Sequence, residues 1–467
     1  MKAKIIPILI PPVLLYGFLS SAWGQEADLP LTPRERMMLE RIEQLEKRLA
    51  VLEAKDQPPD TAPPAGEAPP PAPPVAASVQ EPKQQAAPAQ PLEPTKAPDL
   101  LRGTTINFLL DTYYEYNFNN PIGRVNYLRA YDVSSNAFSL NQAAIVLENA
   151  PDPSKGKSFG ARVDLQFGQA TQTLQGNPAN EPRPNIYRAI FQAYGTYLRG
   201  GLTVDVGKWA SSLGMENNYT KDQMNYSRSY WFDFLPFYHM GARVSYKLNE
   251  KLSLNYWIVN GTEQTEPFNG FKDQLFGLTI QPHKTVNWIV NYYLGQEHPD
   301  VTYYPNGGPP GLPNEQGLPF APIPNAPKGK LHILDSYATW QPSSKLTFGL
   351  EGDYVIERLQ TYSAPMHVAG SAVYARRQLT PRFAIAGRAE YLTDRGGLFS
   401  GVTQALKEAT LTTEYRLPEG FLIRAEWRRD FSNRPYFLTD TLGILKNSQT
   451  TGTIGLVWWY GGKEGIW

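Results

Sequence analysis

The chain has 467 residues, with 44 basic and 44 acidic side chains and no cysteine. Balanced charge gives no broad field to draw in nucleic acid, and the lack of cysteine excludes disulfides, thiolate metal sites and thiol catalysis. Aromatics are plentiful, at 27 Tyr, 20 Phe and 10 Trp, yet the mean hydropathy is −0.41, so they sit among polar residues.

Residues 1–24 have the layout of a secretory signal peptide: Lys2 and Lys4, an apolar run from Ile5 to Leu19, then small residues Ala22 and Gly24 before the expected cleavage. The alternative, a membrane anchor, is disfavoured because the run is short and broken by Pro7, Pro11 and Pro12. No later apolar run approaches the roughly 20 residues that a membrane helix needs. A mature chain that spans a membrane does so with strands.

Residues 25–55 contain a helix signal. Thr32 and Glu35 have capping-box spacing around Pro33, and Met38, Ile42, Leu45, Leu49 and Leu52 form a heptad seam flanked by charges. So narrow a stripe suits self-association, and a homotrimer is the favoured state; a solitary solvated helix is the alternative. Residues 56–100 contain 14 prolines and read as a disordered Pro/Ala-rich spacer with a reach on the order of 100 Å.

From Thr104 the hydrophobic pattern has period two. In "INFLLDTYYEYNF", Ile106, Phe108, Leu110, Thr112, Tyr114, Tyr116 and Phe118 share one face, while Asp111 and Glu115 lie on the other. The same alternation recurs in "FGARVDLQF", "GARVSYKL", "TVNWIVNYYL", "EATLTTEYRL" and "GFLIRAEWRRD". Segments of about 10–12 residues match a tilted bilayer crossing. Short connections at 198–201, 248–251, 281–284, 341–345, 379–382 and 417–420 alternate with long ones near 210–236, 262–273, 296–329, 356–365, 393–403 and 430–450. A soluble sandwich has no reason to keep that asymmetry. Residues 101–467 are therefore expected to form an all-β, transmembrane, antiparallel up-and-down barrel of about 16 strands, preceded by the short coiled-coil helix and the Pro-rich linker. In "TIGLVWWYGGKEGIW", Trp458 and Tyr460 fit a lipid-facing girdle, and Trp467 resembles a terminal aromatic used in barrel assembly.

"LLDTYYEYNFNNP" (109–121), "RGGLTVDVGKWASSLGMENN" (199–218), "NYSRSYWFDFLPFYHMGARVSY" (225–246), "WIVNG" (257–261) and the final "WWYGGKEGIW" resemble the putative β-barrel porin-2 (OmpL-like) outer-membrane porin family. The resemblance covers most of residues 104–467 and implies a barrel admitting small hydrophilic solutes. It implies no particular substrate.

Alternation places Asp111, Glu115, Arg162, Asp164, Arg243, Lys247, Glu351, Asp353, Arg388, Glu390, Glu408, Glu414, Arg424, Glu426 and Arg428 on the lumen side. There they either set up a transverse field that selects solutes or pair to brace the wall. The long connection after "LTVDVGKW", carrying Glu216, Asp222 and Arg228, is expected to fold inward as a constriction loop. "HILDS" (332–336) offers His, Asp and Ser, but in one strand Asp335 points away from His332 and Ser336, so a hydrolase is not expected. No cofactor, metal site or catalytic residue is expected. The expected function is a porin in the outer membrane, with the N-terminal helix in the periplasm; the alternative is a closed barrel anchoring an oligomeric periplasmic stalk. Expected partners are outer-membrane lipid, the barrel-assembly machinery, two further copies of the chain and, through the stalk, peptidoglycan; nucleic acid is not among them.

Overall fold

A computed structural model of the protein describes residues 103–175, 181, 184–303, 319–463 and 465–467. The expected signal peptide (1–24), coiled-coil helix (25–55) and Pro-rich linker (56–100) lie outside the described residues.

Sixteen antiparallel strands close into a barrel. They are β1 (Thr105–Asn117), β2 (Ala137–Asn149), β3 (Phe159–Phe167), β4 (Ile190–Arg199), β5 (Leu202–Ala210), β6 (Tyr238–Asn249), β7 (Leu252–Val259) and β8 (Asp273–His283). The second half comprises β9 (Val286–Gly295), β10 (Leu331–Ser343), β11 (Leu346–Glu357), β12 (Met366–Gln378), β13 (Phe383–Arg395), β14 (Gln404–Arg416), β15 (Phe421–Ser432) and β16 (Ser448–Gly461). Each strand pairs with its neighbours in sequence, and β1 closes the ring against β16 from Asn107 opposite Gly461 to Asn117 opposite Thr451. Closure leaves no unpaired edge at membrane depth, where a free N–H or C=O has no water to meet it.

The two faces differ as a pleated sheet requires. In β15, Leu422, Arg424, Glu426, Arg428 and Asp430 are buried inside, while Ile423, Trp427 and Phe431 are exposed outside. In β16, Ile454, Leu456 and Tyr460 are exposed outside, and Gly455 and Val457 are buried inside. An apolar belt of this kind on every side of a barrel suits lipid and not water. Among the described residues, no helix is long and apolar enough to cross a membrane.

The connections are asymmetric. Strands from β4 onward are joined at one end by tight turns, such as the one between β14 and β15, where Glu419 and Gly420 adopt φ of 62° and 79°. At the other end the joins are long, the first running from Phe118 to Asn136 and the third from Ser211 to Phe237. On the tight-turn side the join between β2 and β3 is longer, with a single 3₁₀ turn at Pro153–Lys155.

Candidate pore site

The third long connection, residues 211–237, does not extend beyond the strands. It is rich in aromatics, and Leu213, Tyr219, Tyr226, Tyr230 and Trp231 are all buried. Its hydrogen bonds run to inward side chains of strands around the ring, which places it in the barrel interior. The Tyr226 hydroxyl donates to Asp111 Oδ1 of β1 at 2.8 Å, and the Tyr219 hydroxyl to Asp164 Oδ2 of β3 at 2.5 Å. The Gly214 amide donates to Asp335 Oδ1 of β10 at 3.0 Å, and the Met215 amide to Glu351 Oε1 of β11 at 2.9 Å.

Irregular backbone inside a barrel carries donors and acceptors that strands would otherwise pair, and each needs a partner. Charged wall residues supply them by sign. Glu426 accepts from the Tyr226 and Ser227 amides at 2.6 and 2.9 Å, and Glu390 from the Tyr230 amide at 2.9 Å. Arg424 donates to the carbonyls of Thr220 at 2.7 Å, Asn225 at 3.1 Å and Gln223. Arg388 donates to the carbonyls of Ser227 at 2.9 Å and Arg228 at 3.1 Å. Two wall glycines make room for loop side chains: a Cβ at Gly349 would lie 2.2 Å from Met215 Cε, and one at Gly455 would lie 2.3 Å from Tyr226 Cε2.

The remaining inward charges pair mostly with one another. Glu115 accepts from Thr453 at 2.6 Å and from Asn126. Arg162 grips Asp164 through two bonds of 2.8 Å, and Arg243 meets Asp205 at 2.7 Å. Glu414 sits among Arg376, Arg416 and Arg424 at 2.7–2.9 Å. Arg388 meets Glu408 at 2.8 Å and Glu216 of the loop at 2.9 Å, with Glu390 3.8 Å away; Arg428 meets Asp430 at 2.9 Å. Asp353 lies inward on β11, beside Glu351. Of the loop charges, Asp222 pairs with Lys221 at 2.7 Å, whereas Arg228 is held by loop carbonyls and stacks on Tyr131, 4.4 Å from the ring centroid. Lys247, on the same face of β6 as Arg243, lies exposed at the turn end of the strand and pairs with Glu250. Burial lowers the Lys221 ammonium from the usual lysine value, with Asp222 acting in the opposite direction.

Several interior residues were not picked out by alternation. Asp335 follows apolar Leu331 and Ile333 on the inward face of β10, so nothing marked that face as luminal. Arg129 reaches Asp430 at 2.7 Å from the first long connection, which has no periodicity to read. The His332–Asp335–Ser336 set is not assembled: His332 Nδ1 pairs with the Tyr292 hydroxyl at 2.8 Å, and Ser336 Oγ accepts from Trp288 Nε1 at 2.9 Å.

Two cavities share the inward column of β11. One, of about 240 Å³, is lined by Leu331, Ile333, Val355, Glu357, Leu235 and Glu297 toward the long connections. The other, of about 380 Å³, is lined by Lys221, Asp222, Thr347, Arg376, Arg416 and Trp459 toward the tight turns. Between Val355 and Thr347 on that column stand Asp353, Glu351 and Gly349, faced by loop residues Gly214 and Met215.

Similar folds occur among solved structures. The outer-membrane channel DcaP of Acinetobacter baumannii is 8% identical with a TM-score of 0.49, over 76% of this chain and 97% of that one. An anion-selective porin from Comamonas acidovorans is 7% identical with a TM-score of 0.49, over 76% and 99%. OmpT of Vibrio cholerae is 9% identical with a TM-score of 0.45, over 76% and 97%. Among curated proteins none matches the sequence. The family described as putative beta-barrel porin-2, OmpL-like, matches residues 103–458, and the chain belongs to that family of outer-membrane porins.

Proposed function

We propose that the protein conducts small hydrophilic solutes or ions by diffusion, with residues 211–237 as its constriction loop. The route runs between the two cavities along the inward face of β10 and β11, past Asp335, Glu351 and Asp353, where Met215 packs against Gly349 and has to move aside for a solute. The observation that carries this reading is the shared column on β11, with the acidic residues between the cavity-lining Val355 and Thr347. Carboxylates at a narrow point favour cations. The long connections face outward from the cell and the tight turns face the periplasm, as in outer-membrane barrels generally.

In this reading the signal peptide is removed and the heptad helix, in the periplasm, holds three barrels together, with the Pro-rich spacer giving reach to peptidoglycan. The filled interior supports a second reading, a closed barrel that anchors the periplasmic stalk. Single-channel recording in planar bilayers, under a KCl gradient with EDTA, separates the two. Conductance steps in threes with a reversal potential of cation sign are expected. A folded barrel that stays silent refutes conduction and favours the anchor; an anionic reversal potential refutes the route along β10 and β11.

A further inference from the structure

Asp335, Glu351 and Asp353 form a cluster of three buried acids in the interior. Asp335 and Asp353 are directly opposite in the β10–β11 ladder, and Glu351 is the next inward residue after Asp353. One oxygen from each lies within 4.8 Å of the others, and all three residues are buried. Like charges facing each other across a ladder are destabilising, and burial strengthens the repulsion. Elsewhere in this interior Asp164, Glu216, Glu408, Glu414 and Asp430 each have an arginine beside them. Among the described residues no basic side chain forms an ion pair with any of these three.

Their hydrogen bonds are also uneven. Asp335 accepts from the Gly214 amide at 3.0 Å and the Asn291 amide at 2.7 Å; Glu351 accepts from the Met215 amide at 2.9 Å and the Tyr374 hydroxyl at 2.8 Å. These donors fix the two carboxylates in place, as outer partners do for ligating groups. Asp353 is only 5% exposed, and neither of its oxygens meets an N–H or hydroxyl donor among the described residues; its carboxyl faces that of Asp335, a contact that is a hydrogen bond only when the two share a proton. A buried carboxylate with both oxygens unsatisfied is costly and calls for a partner of another kind.

We propose that Asp335, Glu351 and Asp353 bind a hard divalent cation of the Ca²⁺ type. The donor set is all oxygen and carries three negative charges once a bound cation displaces the proton shared by Asp335 and Asp353, which suits Ca²⁺ and not a softer metal. Asp353 has both oxygens free for a bidentate contact, Asp335 and Glu351 each add at least one oxygen, and water from the adjoining cavities completes a shell of six to eight. Because Asp335 and Glu351 also hold the Gly214 and Met215 amides, the bound ion fastens the start of the inward loop to the wall. It also neutralises much of the local charge, so cation preference is greatest in EDTA.

The site is tested by binding, independently of conduction. Full-length protein in detergent is stripped with EDTA, desalted and titrated with CaCl₂ by calorimetry, beside Asp353→Asn and Glu351→Gln. The expected result is one saturable Ca²⁺ per chain, with a dissociation constant on the order of 10⁻⁴ M as in extracellular calcium modules, and loss of that uptake in both variants. Heat-modifiable gel mobility establishes that each variant is a closed barrel; the second serves if the first does not fold. Wild-type protein that takes up no saturable Ca²⁺, or folded variants that take up as much as wild type, overturns the proposal. A silent channel that binds Ca²⁺ leaves the site standing while refuting conduction.

Discussion

The Lys221 ammonium lies over the indole of Trp467, 4.5 Å from the ring centroid, and so joins the inward loop to the segment that follows β16. The Trp467 amide donates to Asp222 Oδ2 at 3.1 Å, Lys221 Nζ donates to the Gly465 carbonyl at 2.8 Å, and the Trp467 ring meets that of Tyr219 edge-on at 5.7 Å. By sequence alone Trp467 resembles the terminal aromatic by which barrels are recognised for assembly, set off from the apolar part of the strand by "GGKEGI". In the structure β16 ends at Gly461, and Trp467 is turned inward, largely buried against the loop.

Removing residues 462–467 should therefore enlarge the cavity lined by Lys221, Arg376 and Arg416 and raise single-channel conductance while the sixteen strands remain closed. Bilayer recording on protein that keeps its heat-modifiable mobility checks this. Unchanged conductance would show that the segment stands outside the solute path.

Gly455 is predicted to accept no side chain, because its inward space is filled by Tyr226. Gly455→Val should displace that ring and weaken its bond to Asp111, at a cost of about 1–3 kcal/mol for overpacking. Gly195, where a Cβ would come no nearer than 3.9 Å to its closest neighbour, should accept alanine with little effect. Limited proteolysis within 211–237, read by mass spectrometry, should cut the first variant faster than wild type and leave the second alone.

Glu426→Leu leaves the Tyr226 and Ser227 amides without acceptors, and Arg424→Met leaves three loop carbonyls without their donor. Each unpaired buried group costs about 1–3 kcal/mol. Both variants should unfold at lower guanidinium concentration and show noisier open-channel current. Quiet, wild-type current from both would mean that the loop keeps its place without the charged wall.

Neutralising Glu216, Asp222 and Arg228 together removes the Arg388–Glu216 and Lys221–Asp222 pairs and the Arg228 stack on Tyr131. Conductance and reversal potential should both shift. The constriction assignment would not survive if neither quantity moved.

The strand pattern, the tight turns and the position of the long connections were legible in the sequence because each is local. A period of two sorts Arg424, Glu426 and Arg428 from Ile423, Ala425 and Trp427 without reference to any other strand. Turns announce themselves by residues such as the Gly420 that follows Pro418 and Glu419. Asp335 escaped because apolar Leu331 and Ile333 precede it on the inward face and blur the contrast on which alternation depends.

The sequence by itself thus determined an outer-membrane barrel of alternating strands, since pleat and hydrophobicity act over neighbouring residues. What the inward charges meet was decided only by tertiary structure. Closure of the ring brings Asp111 to Tyr226, Glu426 to the Ser227 amide, and Asp335 opposite Asp353. No local rule encodes such pairings, because they depend on where an irregular loop finds donors and acceptors for its backbone in an interior assembled from strands distant in sequence.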